Sequence, residues 1–377
     1  LRREISSALA TMNLKHPDAD VRLASVNEML DRPDPDNAEM LQSLLPEEKD
    51  ERVAEVMSIV IALANLTSDD KEKRSAAVNT LEGNVHPAVR NGLDKLLQQT
   101  DDPELKSEIT RAINKIDLKL QLYSVLENIF FGLSLGSVLV LAAIGLAITF
   151  GVMGVIIMAH GELIMIGAYT TYVMQLLMPE SIGLSVLLSI PAAFIVSGLV
   201  GIAIERGVIR FLYGRPLETL LATFGISLIL QQAVRSIFSP LNRSVETPSW
   251  MSGVWEINNA LSLTLNRLYI IVFCLLVFAA LFMILKKTPL GLQVRAVSQN
   301  RAMARAMGVR SERVDALTFG LGSGIAGVAG VALSQLTNVG PNLGQAYIID
   351  SFMVVVFGGV GNLWGTLVSG MTLGVAN

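Results

Sequence analysis

The pattern of apolar and polar positions changes character near residue 119. Before it, short amphipathic stretches alternate with polar turns at Asp31-Arg-Pro-Asp-Pro, Leu45-Pro46, Thr67-Ser-Asp-Asp and Thr100-Asp-Asp-Pro. Apolar spacing of three to four residues between such turns predicts short helices. Ser68 and Asp101 stand where N-caps are expected, and Pro103 suits a first helical turn. Arg22-Leu-Ala-Ser-Val-Asn is echoed 52 residues later by Arg74-Ser-Ala-Ala-Val-Asn, with Leu30 and Leu81 following. The echo suits a helical-repeat array whose stacked helices share a core. It suits a small helical bundle of no repeat type equally well.

Beyond residue 119 long apolar runs take over. Residues 125–178 carry only Glu127, His160, Glu162 and two tyrosines as ionisable side chains. A membrane span needs about 20 apolar residues, so this stretch predicts two helices with a linker of roughly ten residues. Further runs occupy 182–204, 217–238, 268–285, 316–336 and 352–376. The expected fold is all-α. A polytopic helical membrane domain over 119–377, with about seven hydrophobic segments, some broken or re-entrant, follows a soluble, acidic, helical-repeat-like domain over 1–118.

Charge supports the same division. Only 16% of the 377 residues are charged, against about 25% for an average soluble domain. Residues 1–120 hold 16 basic and 23 acidic side chains, and residues 121–377 hold 13 and 10. A single soluble globular enzyme is excluded. One cysteine, Cys274, in an apolar run, and three histidines leave no disulfide framework and no cysteine metal site, so no metal or cofactor is expected. The net charge of −4 and the lack of basic runs argue against a nucleic-acid partner.

The few basic residues of the second part cluster at 205–215 and 286–313. The positive-inside rule makes both connections cytoplasmic. Counting back puts the start of the first span, and the acidic domain before it, outside: the periplasm, if the cell is bacterial.

Three local motifs carry chemistry. In 288–309, Pro289 and Gly291 form a turn, Leu292 to Met307 can be one helix, and Gly308 is a C-terminal stop. Val294, Val297, Ala304 and Met307 would make its apolar stripe, with Arg295, Arg301 and Arg305 on the polar side. Such a helix inserts into a groove of a soluble partner or lies on the lipid surface; its residues alone leave both open. In Met158-Ala-His-Gly-Glu-Leu, His160 and Glu162 sit inside a long apolar stretch, where ionisable groups face a cavity or a partner. Gly151, Gly154 and Gly161 would permit a broken helix lining a pathway, and a His–Glu pair tying helices together is the structural alternative. Gly340-Pro-Asn-Leu-Gly-Gln and Val356-Phe-Gly-Gly-Val-Gly-Asn are glycine-rich without a phosphate-loop pattern. With the small-residue face Gly320, Gly322, Gly324, Gly327 and Gly330 they suit close helix packing.

Together these segments resemble the permease subunits of bacterial ATP-binding-cassette importers of the branched-chain amino acid type. Ala159-His160-Gly161-Glu162 with Gly167-Ala168-Tyr169, the Gly291 to Gly308 connection and Val356 to Asn362 carry the resemblance over about residues 125–377. It implies that 288–309 is the coupling segment gripped by a cytoplasmic ATP-binding subunit, through Gly291, Arg295, Ala296, Asn300, Ala304 and Gly308. It also implies a second related permease subunit, a periplasmic solute-binding protein, an inner-membrane location and no nucleotide site on this chain. Within the family, Thr337 to Gln345 and the soluble extension look closest to the urea-type permease. The expected activity is then import of a small polar solute, urea first and branched-chain amino acids as the alternative. A membrane-anchored periplasmic scaffold is the reading of a different class. Neutral hydrogen-bonding groups at Tyr169, Thr170, Asn338, Asn342 and Gln345 would line the pathway, with His160 and Glu162 organising it. One position departs from the family: Ile157 stands where asparagine is usual. The family's chain also runs on past the point where this one stops, so its last spans are expected to be missing.

Overall fold

The computed structural model describes residues 1–154, 157–251, 254–256, 262–359 and 362–376. They divide into two compact units, Leu1–Leu126 with Glu256–Ser262, and Glu127–Trp255 with Leu263–Asn377.

The first unit is built from α1 (Arg2–Asn13), α2 (Ala19–Leu30), α3 (Pro35–Leu44), α4 (Glu51–Asn65), α5 (Lys71–Leu81), α6 (Pro87–Gln99) and the first part of α7 (Pro103–Met153). Side-chain caps set the starts. Asp18, Asp34, Asp50 and Asp70 each accept a hydrogen bond from the backbone N–H two residues on, at 2.9–3.1 Å, satisfying donors that a helix leaves unpaired. His86 and Asp102 do the same for α6 and α7. The helices therefore begin later than Ser68 and Asp101 suggest. A carboxylate is the stronger acceptor for the first turn, and Ser68 Oγ instead accepts from Asp70 N in the turn before it.

The 52-residue echo lies on matching elements. Asp18 and Asp70 cap α2 and α5, Asp34 and His86 cap α3 and α6, and Asp50 and Asp102 cap α4 and α7. Val26 and Val78 are both buried, as are Val53 and Leu105, and Met57 and Ile109, in one apolar cluster. Surface ion pairs decorate it. Lys71 Nζ lies 2.9 Å from Asp102 and 3.3 Å from Glu104, and the Lys71 hydrogen bond holds the Asp102 carboxyl below its ordinary range. A carboxyl depressed in the folded state stabilises above its unfolded pKa, and the contribution fades as pH falls through the folded value. Hydrogen-exchange protection, corrected for the intrinsic rate, is thus expected to fall at the start of α5 and α7 below about pH 4, and Asp102→Asn should flatten that dependence.

The second unit holds the rest of α7, then α8 (His160–Leu177), α9 (Ile182–Gly207), α10 (Pro216–Phe238), α11 (Leu265–Lys287), α12 (Pro289–Gln299), α13 (Arg301–Ala306), α14 (Ser311–Ser334), α15 (Leu343–Gly358) and α16 (Leu363–Ala376). Two short strands, β1 (Val254–Glu256) and β2 (Ser262–Thr264), pair in the connection before α11. Among the described residues, five helices are long and apolar enough to cross a membrane: Pro103–Gly151, Ile182–Phe211, Pro216–Phe238, Leu265–Lys287 and Ser311–Ser334. Helices α15 and α16 are apolar but shorter. The run 352–376 is accordingly two pieces rather than one span. Gly359, at φ +90°, turns the chain, and Asn362 Oδ1 caps α16 by accepting from Gly365 N at 3.1 Å. Val360 and Gly361 of that motif lie outside the described residues.

Glycines let these helices meet backbone to backbone. Gly161 of α8 abuts Gly344 of α15, and Gly167 of α8 abuts Gly327 of α14, so closely that a methyl group at 344 or 167 would overlap the facing carbonyl. Small residues are the usual means of close helix approach in membranes. Around these seams, Ile144, Ile164, Phe319 and Ala329 fill the main apolar core.

Candidate functional site

Helix α7 stops at Met153, and Gly154 takes φ +65° with its N–H on Phe150 O. Helix α8 starts at His160, whose Nε2 lies 2.7 Å from Ala142 O, eleven residues back from the end of α7. Helix α8 therefore begins beside the apolar middle of α7 rather than past its end, and the two are separate helices as the glycines suggested. Irregular backbone at that depth needs partners from the protein. Thr223 Oγ1 of α10 supplies one, accepting from Met158 N at 3.1 Å. Ile157 is buried in the main apolar core, so this position packs rather than hydrogen-bonds.

His160 and Glu162 do not form the pair considered above; they face different neighbours. Glu162, 1% exposed, turns to α10, where Ser227 Oγ donates to its Oε1 and Gln231 Nε2 donates to the same oxygen at 2.7 Å. Its Oε2 is buried without a partner. Thr219, Thr223, Ser227 and Gln231 recur every fourth residue and are all buried. They make one buried polar stripe along the helix.

Other expected residues fall around the same stripe. Tyr169 stacks on Phe238 at the end of α10, with ring centroids 4.8 Å apart, and its hydroxyl is buried and unpartnered. Asn342 Oδ1 accepts from Arg235 of α10 at 3.0 Å. Three others do not join. Thr170 donates to Ile166 O of its own helix, while Asn338 and Gln345 are exposed. Thr170 is occupied because a helical threonine reaches its own preceding turn most easily. Above the seam, Arg243 and Val339 exchange backbone hydrogen bonds at 2.6 and 2.7 Å.

At the opposite, basic end the segment after α11 is two helices, not one from 292 to 307. Asn300, at φ −155°, ends α12, and its side chain caps α13 by accepting from Met303 N at 3.0 Å. Capping by Asn outweighs continuation through a residue of middling helix propensity. Thr288 caps α12 by accepting from Gly291 N at 3.3 Å. Gly291 lies against the backbone of Leu285, where a side chain could not fit. Gly308, at φ +90°, closes α13 as expected. Val294, Val297 and Ala304 are buried, but Met307 is 78% exposed and leaves the stripe, because the break at Asn300 resets the helical phase. Ala296 packs at the edge of that small cluster. Arg295 Nε donates to Gly291 O at 3.3 Å.

The other two arginines bond within the protein, Arg301 half-buried and Arg305 exposed. Arg301 pairs with Asp315 of α14, whose side chain is 4% exposed, and lies over the Tyr213 ring at 5.2 Å. Tyr213 donates to Glu205 of α9 at 3.2 Å, Arg305 donates to Ser311 Oγ, and Arg206 donates to Glu312 O at 2.8 Å. These polar contacts, with Asp315 and Glu205 buried among them, link α13 to the nearby ends of α9 and α14.

The family described as branched-chain amino acid transport system / permease component matches residues 128–377. The chain belongs to this family. The high-affinity branched-chain amino acid permease protein LivH of Salmonella typhimurium is 34% identical over 67% of this chain and 84% of its own length. BraD of Pseudomonas aeruginosa, of the same description, is 32% identical over 68% and 86%. A probable LivH of Methanocaldococcus jannaschii is 27% identical over 64% and 76%. No solved structure matches the chain. These relatives are branched-chain amino acid permeases by name, so the likeness of this permease to the urea type rests on its sequence motifs alone. Helices α1–α6 precede the matched region.

Proposed function

We propose that this chain is the permease subunit of an ATP-driven importer of branched-chain amino acids. It would work with a second, related permease subunit, cytoplasmic ATP-binding subunits and a periplasmic solute-binding protein. The observation that carries this reading is the family match over residues 128–377. The chain is a multi-pass protein of the inner membrane in this reading, with its basic end cytoplasmic and the helical-repeat-like unit before it periplasmic. The ATP-binding subunit grips Gly291 to Gly308. Movement there reaches α14 through Arg301–Asp315 and α9 through Tyr213–Glu205, biasing the bundle between outward- and inward-facing states.

The solute passes along the α8–α10 seam. Glu162, Ser227 and Gln231 lie at its centre and Tyr169 and Asn342 toward its outer end. Thr170, Asn338 and Gln345 join once the seam opens, and His160 holds α8 to α7. Urea remains a second reading because hydroxyl and amide groups dominate the stripe on α10. Binding-protein-dependent uptake of labelled leucine into proteoliposomes, with urea as rival, separates the two. Leucine uptake that excess urea does not reduce is expected. Glu162→Gln should lower it about tenfold, the scale of a lost charge-assisted hydrogen bond. Urea uptake without leucine uptake would reverse the order of the readings, and uptake of neither would sink both.

A further inference from the structure

A cleft of about 390 Å³ opens at the basic end of the second unit, between the last turns of α7 and α11, helix α12 and the start of α16. One wall is apolar and aromatic. Trp364, 55% exposed, meets Phe278 and Phe282 edge-on at 5.1 and 5.6 Å, and Leu285 continues that wall. The other wall is polar, with Lys286, Arg295, Ser298, Gln299 and Asn362. No acidic side chain lines the cleft. Lys286 sits over the Phe282 ring at 5.7 Å and Arg295 contacts the Gly291 carbonyl. Neither cation is paired with a carboxylate among the described residues.

Two uncompensated cations beside exposed aromatic surface, at the end of a membrane-crossing helix, match a molecule that is anionic at one end and apolar at the other. We propose that this cleft binds an anionic phospholipid. The phosphate lies between Lys286 and Arg295, with donors from Gln299 and Asn362, and an acyl chain lies over Phe282 and Trp364. Charge complementarity and the continuity of the apolar wall with membrane-facing side chains select this occupant. A lysine at the end of α11 is also expected merely to offset the helix dipole, and Lys287 serves that role equally. Lys287 lies outside the cleft, so the pair separates a built site from diffuse surface charge.

The full chain carrying Trp250→Phe and Trp255→Phe keeps Trp364 as its one tryptophan. Reconstituted in phosphatidylcholine nanodiscs, its fluorescence is titrated with brominated phosphatidylglycerol or brominated phosphatidylcholine. Phosphatidylglycerol should show a relative association constant about twenty-five-fold higher, since each of the two cations near a membrane surface contributes about a fivefold preference. Lys286→Gln should lower that constant about fivefold, Lys287→Gln should leave it unchanged, and both should retain quenching by phosphatidylcholine. Equal constants for the two lipids, or equal losses from the two lysine variants, would overturn the proposal. Inorganic phosphate that binds in pure phosphatidylcholine discs and abolishes the preference would assign the cleft to a free anion and overturn the lipid as well.

Discussion

Gly344→Ala is expected to leave a chain whose membrane unit no longer packs. The added methyl group would overlap the carbonyl carbon and oxygen of Gly161. Both sides of that contact are backbone, so no rotamer change relieves it, and α8 and α15 must separate. Separation also opens the apolar cluster of Met165, Tyr169, Val339 and Leu343 beside it. Overpacking of a core by one group costs about 1–3 kcal/mol, and rigid backbone on both sides puts this site at or above the upper end. That is a large share of a total stability of about 5–15 kcal/mol. The thermal midpoint in detergent and the monodisperse fraction report it. Gly225→Ala is the control, since no atom approaches a Cβ there, and it should shift the midpoint little or upward. Equal midpoints for the two variants would show that the seam yields.

Arg301→Ala should have the next largest effect, and its two components can be separated. Removing the guanidinium strands the buried Asp315 carboxylate. Leaving one member of such a pair uncompensated costs about 3 kcal/mol or more. Uptake should fall at least about tenfold while the partner ATPase still responds to the solute-binding protein. The double variant Arg301→Ala with Asp315→Asn removes the stranded charge. It should recover most of the lost stability and little of the uptake, because no contact then joins α13 to α14 at this point. Arg301→Lys keeps the charge but not the planar face over Tyr213, and should fall between. Full uptake by the double variant would show that the ion pair serves folding alone.

Much of this fold was legible as pattern. The runs at 182–204, 217–238 and 268–285 lie within helices α9, α10 and α11, because a twenty-residue apolar stretch has few other stable forms in a bilayer. The break before His160 was legible because glycine and an ionisable pair interrupt an apolar run. The stripe Thr219, Thr223, Ser227 and Gln231 was also present as a polar residue every four positions, but averaging hydropathy over the run conceals it. Its partner Glu162 lies 65 residues from Ser227, and no local periodicity encodes that pairing. The break at Asn300 was hidden for another reason. Its neighbours favour helix, and a single side-chain cap decided between one helix and two. Nothing in the local sequence marks Asp315 and Glu205 as buried; only the fold sets them against Arg301 and Tyr213.

The two kinds of contact in the membrane unit age differently under mutation. Where Gly161 meets Gly344 and Gly167 meets Gly327, each position accepts one residue type and drift is blocked. Along α10 the contacts are made by hydroxyls and amides, where threonine and asparagine are close in volume and can replace one another. On the proposed pathway, the chain would be retuned toward a different small solute by substitutions on one helix, while the glycine-packed frame beside it stays frozen.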